Sequence, residues 1–242
     1  MTPTRRTATV TGVFFILAAV AAIAAKLLWI PVLSDASYIA GGGADTRVLL
    51  GGFVEFLTAV GVAGTAVALY PVLRRYGHGI TVGYLAGRLL EAATIVVGLG
   101  AVLAVVMLRQ EHAGAAVTDD GPLVAVQESL IAVHDAMFLL GPGLIIGINS
   151  LLLASLMYRS RLVPRWIAWI GLVGGPLVFL SSTAVLFGLY EQVSGTAGLF
   201  AFPVFIWEMS LAVHLIVRGF TPSPTDPAAP ASVDRQAAFT SA

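Results

Sequence analysis

Along the chain, long apolar stretches alternate with short polar breaks, and six of the stretches are long enough to cross a bilayer. A hydrocarbon core of ~30 Å needs about 20 predominantly apolar residues in one helix. The stretches over 8–30, 48–73, 80–108, 136–157, 166–189 and 197–217 meet that length. The fourth extends back toward Val124 as an interfacial or extended helix carrying Glu128, His134 and Asp135. The pattern predicts an all-α, polytopic membrane helix bundle with six transmembrane helices. Residues 1–7 form an N-terminal lead, 8–220 the transmembrane domain and 221–242 a tail. That tail is rich in Pro, Ala, Ser and Thr, cannot bury a core and reads as disordered.

Composition agrees with the pattern. Hydrophobic residues make up 58% of the chain and charged residues 11%, against roughly 25% charged in soluble domains. A mean hydropathy of +0.92 leaves too little polar surface for a water-facing domain. The 26 glycines suit helices that approach closely in lipid. With no cysteine, disulfides, thiolate metal sites and cysteine nucleophiles are excluded. The net charge of zero gives no basic patch for nucleic acid. Arginine dominates over a single lysine, and with abundant Ala, Gly and Val this points to a high-GC bacterial genome.

The placement of arginine predicts orientation, because Lys and Arg are retained in cytoplasmic loops. Arg5 and Arg6, Arg74 and Arg75, then Arg159, Arg161 and Arg165, and finally Arg218 all fall on one side of an even number of spans. The opposite loops carry Asp35, Asp45, Glu111, Asp119, Asp120 and Glu191, with Arg47, Arg109 and nearby Lys26 as their basic residues. Both termini are therefore expected in the cytoplasm. Trp29 and Tyr190 read as anchors at the outer interface, and Tyr70, Tyr76, Tyr158, Trp166 and Trp169 as anchors at the inner one. The basic start and alanines at Ala24 and Ala25 of the first span resemble a cleavable signal. Its apolar run is too long for that and continues through Ile30, which favours an anchor.

Candidate chemistry lies in the ionisable groups inside the spans. Each costs about 2.5–3.5 kcal/mol at a helix centre on insertion scales, so pairing or function is its default explanation. Glu55, Arg88, Glu91, Asp135 and Glu208 stand out, with His214 toward the cytoplasmic end of the last span. Arg88 and Glu91 are three residues apart and share a helix face. Gly83 and Gly87 continue to Glu91 in steps of four, so that face is expected to pack tightly on another helix. Gly51, Glu55 and Ala59 make a similar stripe, and Gly141-Pro142-Gly143 invites a kink after Asp135. At about 1.5 Å per residue, Glu55 lies ~10 Å below the outer face and Glu208 near the midplane.

These depths permit one shared polar cavity for a cation, a proton or a small polar molecule. They also permit a plain Arg88–Glu91 pair, joined by Glu208 or Glu55, that locks helix register. Four acids and one arginine would not all remain ionised together in low dielectric, which favours a bound proton or cation. Other chemistry finds no support. His134 and His214 belong near opposite faces, no H-E-x-x-H or G-x-S-x-G occurs, and neither a Walker nor a dinucleotide loop is present. No catalytic residue, metal site or cofactor is predicted. Asn149 reads as an interhelical hydrogen-bond partner.

Several segments carry a resemblance. The second span with Glu55, ending Ala-Leu-Tyr-Pro-Val-Leu-Arg-Arg (68–75), and Gly-Tyr-Leu-Ala-Gly-Arg-Leu-Leu-Glu (83–91) are two of them. The loop Tyr-Arg-Ser-Arg-Leu-Val-Pro-Arg (158–165) and the closing helix with Glu208 are the others. Together they resemble a bacterial integral membrane family catalogued as domain of unknown function 4386, over roughly residues 8–220. The resemblance implies about six helices and a bacterial plasma membrane, with no activity to carry over. The function expected is that of a small-solute or ion/proton-coupled transporter-like protein. A non-catalytic scaffold, sensor or accessory subunit is the alternative, and an intramembrane hydrolase ranks third. The partners implied are the bilayer, a small polar ligand or cation, and a second copy or another membrane protein.

Overall fold

The structure, a computed structural model, describes residues 3–41, 43–112 and 121–221. Asp119, Asp120 and nearly all of the predicted tail lie outside the described residues. The helices are α1 (Pro3–Leu28), the short α2 (Ile30–Ser34), α3 (Asp45–Leu73), α4 (His78–His112), α5 (Gly121–Phe138), α6 (Ile146–Ser160), α7 (Arg165–Leu186) and α8 (Gly195–Val217). A π-helical turn, Leu139–Ile145, joins α5 to α6 without a break. Among the described residues no strand occurs. Six segments are long and apolar enough to cross a membrane: α1, α3, α4, the continuous Gly121–Ser160, α7 and α8. The expected all-α bundle with six spans is what the chain forms.

The fourth span differs most from its sequence reading. It begins at Gly121, and its 40 residues would reach about 60 Å at 1.5 Å per residue. That exceeds a hydrocarbon core of ~30 Å, so part of it extends beyond the apolar layer. Glu128 and Asp135 are exposed, which is why polar residues can occupy this helix without ending it. Pro142 sits inside the π-helical turn. A missing backbone donor is accommodated there, as is usual where a helix ladder is interrupted.

Packing follows chain order around a ring. α1 packs on α3, α3 on α4, α4 on the fourth span, α6 on α7, and α7 on α8. α8 then packs back on α1 and closes the ring. A side chain fastens this closure. Arg5 donates from Nη1 to the carbonyl of Leu215 (3.3 Å) and from Nη2 to those of Ile216 (2.7 Å) and Val217 (2.9 Å). The Leu215 carbonyl also accepts from the Gly219 N–H at 3.2 Å, whereas those of Ile216 and Val217 lie past the last helical donors, and a cation there also complements the helix dipole. Residues 3 and 221 thus lie at one end of the bundle, here called the basic end.

Two apolar plugs fill the ring. Toward the basic end, Leu69, Tyr84, Leu153, Met157, Trp207 and Leu211 are fully buried. Toward the opposite end, Trp29, Val48, Val102, Val105 and Val106 form a second cluster. Trp29 corrects the reading of it as an interfacial anchor: it is 2% exposed. Its Nε1 donates to the Val48 carbonyl at 3.0 Å, and its ring meets His134 edge-on at 5.2 Å. Trp166 and Trp169 stand on the perimeter, 60% and 54% exposed.

Candidate functional site

Between the plugs, the middle thirds of the spans leave a cavity of about 230 Å³. Every span contributes to its wall. Phe15, Ala18, Ala19 and Ala22 come from α1, and Glu55, Thr58, Val62 and Thr65 from α3. α4 supplies Arg88, Glu91 and Ile95, and the fourth span supplies Phe138, Pro142 and Ile146. Val178 of α7 and Ala201, Val204, Phe205 and Glu208 of α8 complete it. The small α1 residues matter because a larger side chain at any of them would occupy the space.

Arg88 is the centre of the polar wall. It is 2% exposed, as is Glu91. Its Nη1 donates to Glu91 Oε1 at 3.2 Å and Oε2 at 3.3 Å, and its Nη2 to Glu208 Oε1. The guanidinium lies 5.5 Å from the ring centroid of Phe15 and 5.7 Å from that of Tyr84. Planar cations favour such aromatic faces, most strongly where water is absent. On the far side of Glu91, Asn149 donates from Nδ2 to Oε2 at 2.8 Å. Asn149 can stand so close because position 87 is glycine. A Cβ there would overlap the Asn149 amide oxygen. The predicted tight face of α4 is thus packed on α6, and the glycine step makes space for a polar side chain.

Glu55 lies in the same cavity without an ion-pair partner among the described residues. The formal balance is one guanidinium against three carboxylates. Three bare negative charges are disfavoured in a low-dielectric wall, and a bound proton or a further cation relieves them. α1, the fourth span and α7 add no titratable side chain to the lining.

A second cavity of about 280 Å³ adjoins the first and shares Phe138, Pro142, Val178 and Ala201 with it. Its other walls include Lys26, Ser181, Ser182, Gln192 and Ser194, toward the end opposite Arg5. The Lys26 Nζ stands 5.4 Å from the ring centroid of Phe138, on the partition between the two spaces.

Of the six residues singled out from the sequence, Glu55, Arg88, Glu91 and Glu208 line one cavity. Asp135 and His214 do not. Asp135 is exposed, and Gln192 Nε2 donates to its backbone carbonyl at 3.2 Å. The intervening π-helical turn rotates the residues before it relative to those after it, and no sequence period reveals that. His214 lines a groove between α7 and α8 with Trp166 and Arg218. It follows Glu208 by six residues, which at 3.6 per turn puts it about 120° away around the helix. Sequence reasoning also left Thr58, Phe15 and Tyr84 out of the site. Thr58 has a usable signal, one turn after Glu55. Tyr84 also has one, four residues before Arg88 on the same helix face; Phe15 has none, because its approach to Arg88 depends on how α1 packs in the ring.

The fold and the cavity together define a class: a polytopic membrane helix bundle whose six spans all line one half-open cavity with a charged wall. The chain belongs to the family described as a domain of unknown function (DUF4386), whose model matches residues 10–219. No curated protein and no solved structure matches the chain.

Proposed function

We propose that the central cavity binds a proton, cation or small polar solute, and that the chain is a small-solute or ion/proton-coupled membrane carrier. One observation carries this reading: Glu55, Glu91 and Glu208 face a single Arg88 in a space walled by all six spans. A purely structural ion pair needs neither the third carboxylate nor the empty volume. The adjoining space behind Phe138 supports access from the end opposite Arg5. Arginine placement supports both termini inside; in the bacterial plasma membrane that the family resemblance implies, access would be from the periplasmic side.

The test is a flux measurement on proteoliposomes subjected to a pH jump. The expected outcome is a proton or charge movement that Glu91→Gln and Glu208→Gln each reduce severalfold or more. No movement in the unaltered protein, or unchanged movement in both variants, sinks the proposal.

A second reading, a non-catalytic scaffold or accessory subunit, rests on the fit of Asn149 against Gly87 and Glu91. Such a fit specifies helix register. It predicts that replacing Arg88 and Glu91 together by apolar residues preserves function, and that another membrane protein or a second copy copurifies.

A further inference from the structure

The second cavity carries the opposite charge to the first. Among the described residues, Lys26 is the only titratable side chain in its lining, and no carboxylate lines it. Lys26 is exposed, lies in the last turn of α1 and has no ion-pair partner among the described residues. Phe138, beneath its ammonium, belongs to the partition from the acid-rich space.

Two further features of this wall favour a negative guest. The first is the start of α8. Ser194 caps that helix, and it lines the cavity together with Ala197 and Gly198 of the first turn. A helix of 23 residues presents the positive end of its dipole there, equivalent to roughly half a charge. The neighbouring end of α7 opposes it weakly, because its last carbonyls are occupied. Those of Thr183, Ala184 and Val185 accept from the N–H groups of Phe187, Leu189 and Gly188.

The second feature is an idle hydroxyl. In the run Ser181-Ser182-Thr183 the outer two are engaged. Tyr190 donates to Ser181 Oγ at 2.7 Å, and Thr183 Oγ1 donates to the Phe179 carbonyl at 2.8 Å. Ser182, 7% exposed, lines the cavity and makes no hydrogen bond among the described residues. Its Oγ is nonetheless not sealed off, unlike the unpartnered Oγ of Ser150. A Cβ on Gly143, another lining residue, would come within 2.9 Å of it, so the glycine leaves that hydroxyl uncovered. A buried donor open to a cavity calls for an acceptor.

The rest of the lining is largely aliphatic, with Leu139, Val178, Val185, Val193 and Ala201. At ~30 Å³ for each water-sized group, the space of about 280 Å³ has room for roughly nine. One full cation matches a single negative charge, and apolar walls suit a short hydrocarbon body better than a hydrated inorganic dianion. We infer that the second cavity binds a small aliphatic monocarboxylate, its oxygens between Lys26, the Ser182 hydroxyl and the start of α8. The site goes beyond the carrier reading, because it requires binding and not movement.

Equilibrium dialysis of radiolabelled butyrate against the purified full-length protein, in an uncharged detergent, tests it. Butyrate should bind saturably, at least about tenfold tighter than its neutral isostere butyramide measured by competition. Lys26→Gln, at an exposed position that spares the packing, should weaken butyrate about tenfold, and Ser182→Ala about threefold or more. Absence of saturable binding overturns the inference, as does equal binding of butyrate and butyramide. Unchanged affinity in either variant overturns it too, and for Lys26 would leave only a place at the membrane interface. If Ser182→Ala does not fold, Lys26→Gln and the butyramide comparison decide. A pH-jump response that persists without butyrate binding rejects this site and leaves the carrier reading standing. Butyrate binding without that response keeps the site and rejects the carrier.

Discussion

α4 carries the same device twice, about 30 Å apart at 1.5 Å per residue, and the two copies behave differently because their solvents differ. Arg88 holds Glu91 and Glu208 and lies over Phe15 and Tyr84. Arg109, near the other end of the helix, pairs with Asp45 and lies 5.3 Å from the Tyr38 ring centroid. It also donates from Nε to the Gly41 carbonyl at 2.9 Å. The Arg109 pair is one to one and reaches water, with side chains 12% and 21% exposed. It fastens the loop between α2 and α3 to the end of α4. In the Arg88 group, Arg88 and Glu91 are each 3% exposed and Glu208 15%, and the group is outnumbered by acids and faces a cavity. Identical parts thus serve as a latch where water screens them and as a candidate binding wall where it does not.

The largest break in this comparison is Arg88→Met. It leaves Glu91 and Glu208 buried without a cation, and removing one partner of a buried pair costs about 3–5 kcal/mol. Folded yield and thermal stability in detergent should collapse. Neutralising the acids as well, with Glu91→Gln and Glu208→Gln, should restore most of the loss. A stable Arg88→Met protein would show that the cluster is not the buried pair described.

Next in size is Gly87→Ala. Its methyl group meets the Asn149 amide and forces overpacking worth about 1–3 kcal/mol. Adding Asn149→Ala should relieve the clash, so the two changes should combine to less than their sum in a double-mutant cycle. Strict additivity would place Asn149 away from Gly87.

Arg109→Met should cost less, about 1–2 kcal/mol, because this pair is partly exposed and Asp45 keeps its hydrogen bonds from Tyr38 and Gln110, and the difference should shrink at high salt. A loss as large as that of Arg88→Met would erase the distinction between the two sites.

The smallest effect concerns pH at the latch. Burial, and then the hydrogen bond from Tyr38 to Asp45 at 2.7 Å, raise the Tyr38 phenol above its ordinary value of 10.0. The neutral phenol is therefore favoured by the fold. Its contribution is fully present below pH 10 and is lost as pH rises past that value toward the folded one. Hydrogen exchange over residues 35–41 should accelerate above pH 10 in the unaltered protein, and Tyr38→Phe should flatten that dependence. At the acid side of the same loop, hydrogen bonds from the Ser37 hydroxyl and backbone N–H hold the Asp35 carboxyl below the ordinary carboxylate range. Protonating Asp35 as pH falls should loosen this turn.

Much of the fold was legible because lipid imposes one rule on every span: a helix of sufficient apolar length must satisfy its own backbone. That rule predicts the six helices and the Arg88–Glu91 pairing, since both depend on spacing within a single element. Glu208 was legible as a cost and as one of two candidates, with Glu55, to join the Arg88–Glu91 pair; only the fold selects it, 120 residues away from Arg88. Trp29 was misplaced for a related reason. Its sequence position suits an interfacial anchor, yet the small Gly51 opposite lets the bundle enclose the indole.

By itself, then, the sequence determined the apolar spans, the arginine asymmetry between their ends and the list of charges that lipid would not tolerate alone. The tertiary structure decided which of those charges meet. Closure of α8 on α1 brings Glu208 and Phe15 to Arg88, and the π-helical turn leaves Asp135 outside. The physical reason is that burial cost depends on a residue's own position along a span. Pairing depends on rotation about each helix axis and on ring order, which packing among all six spans sets together.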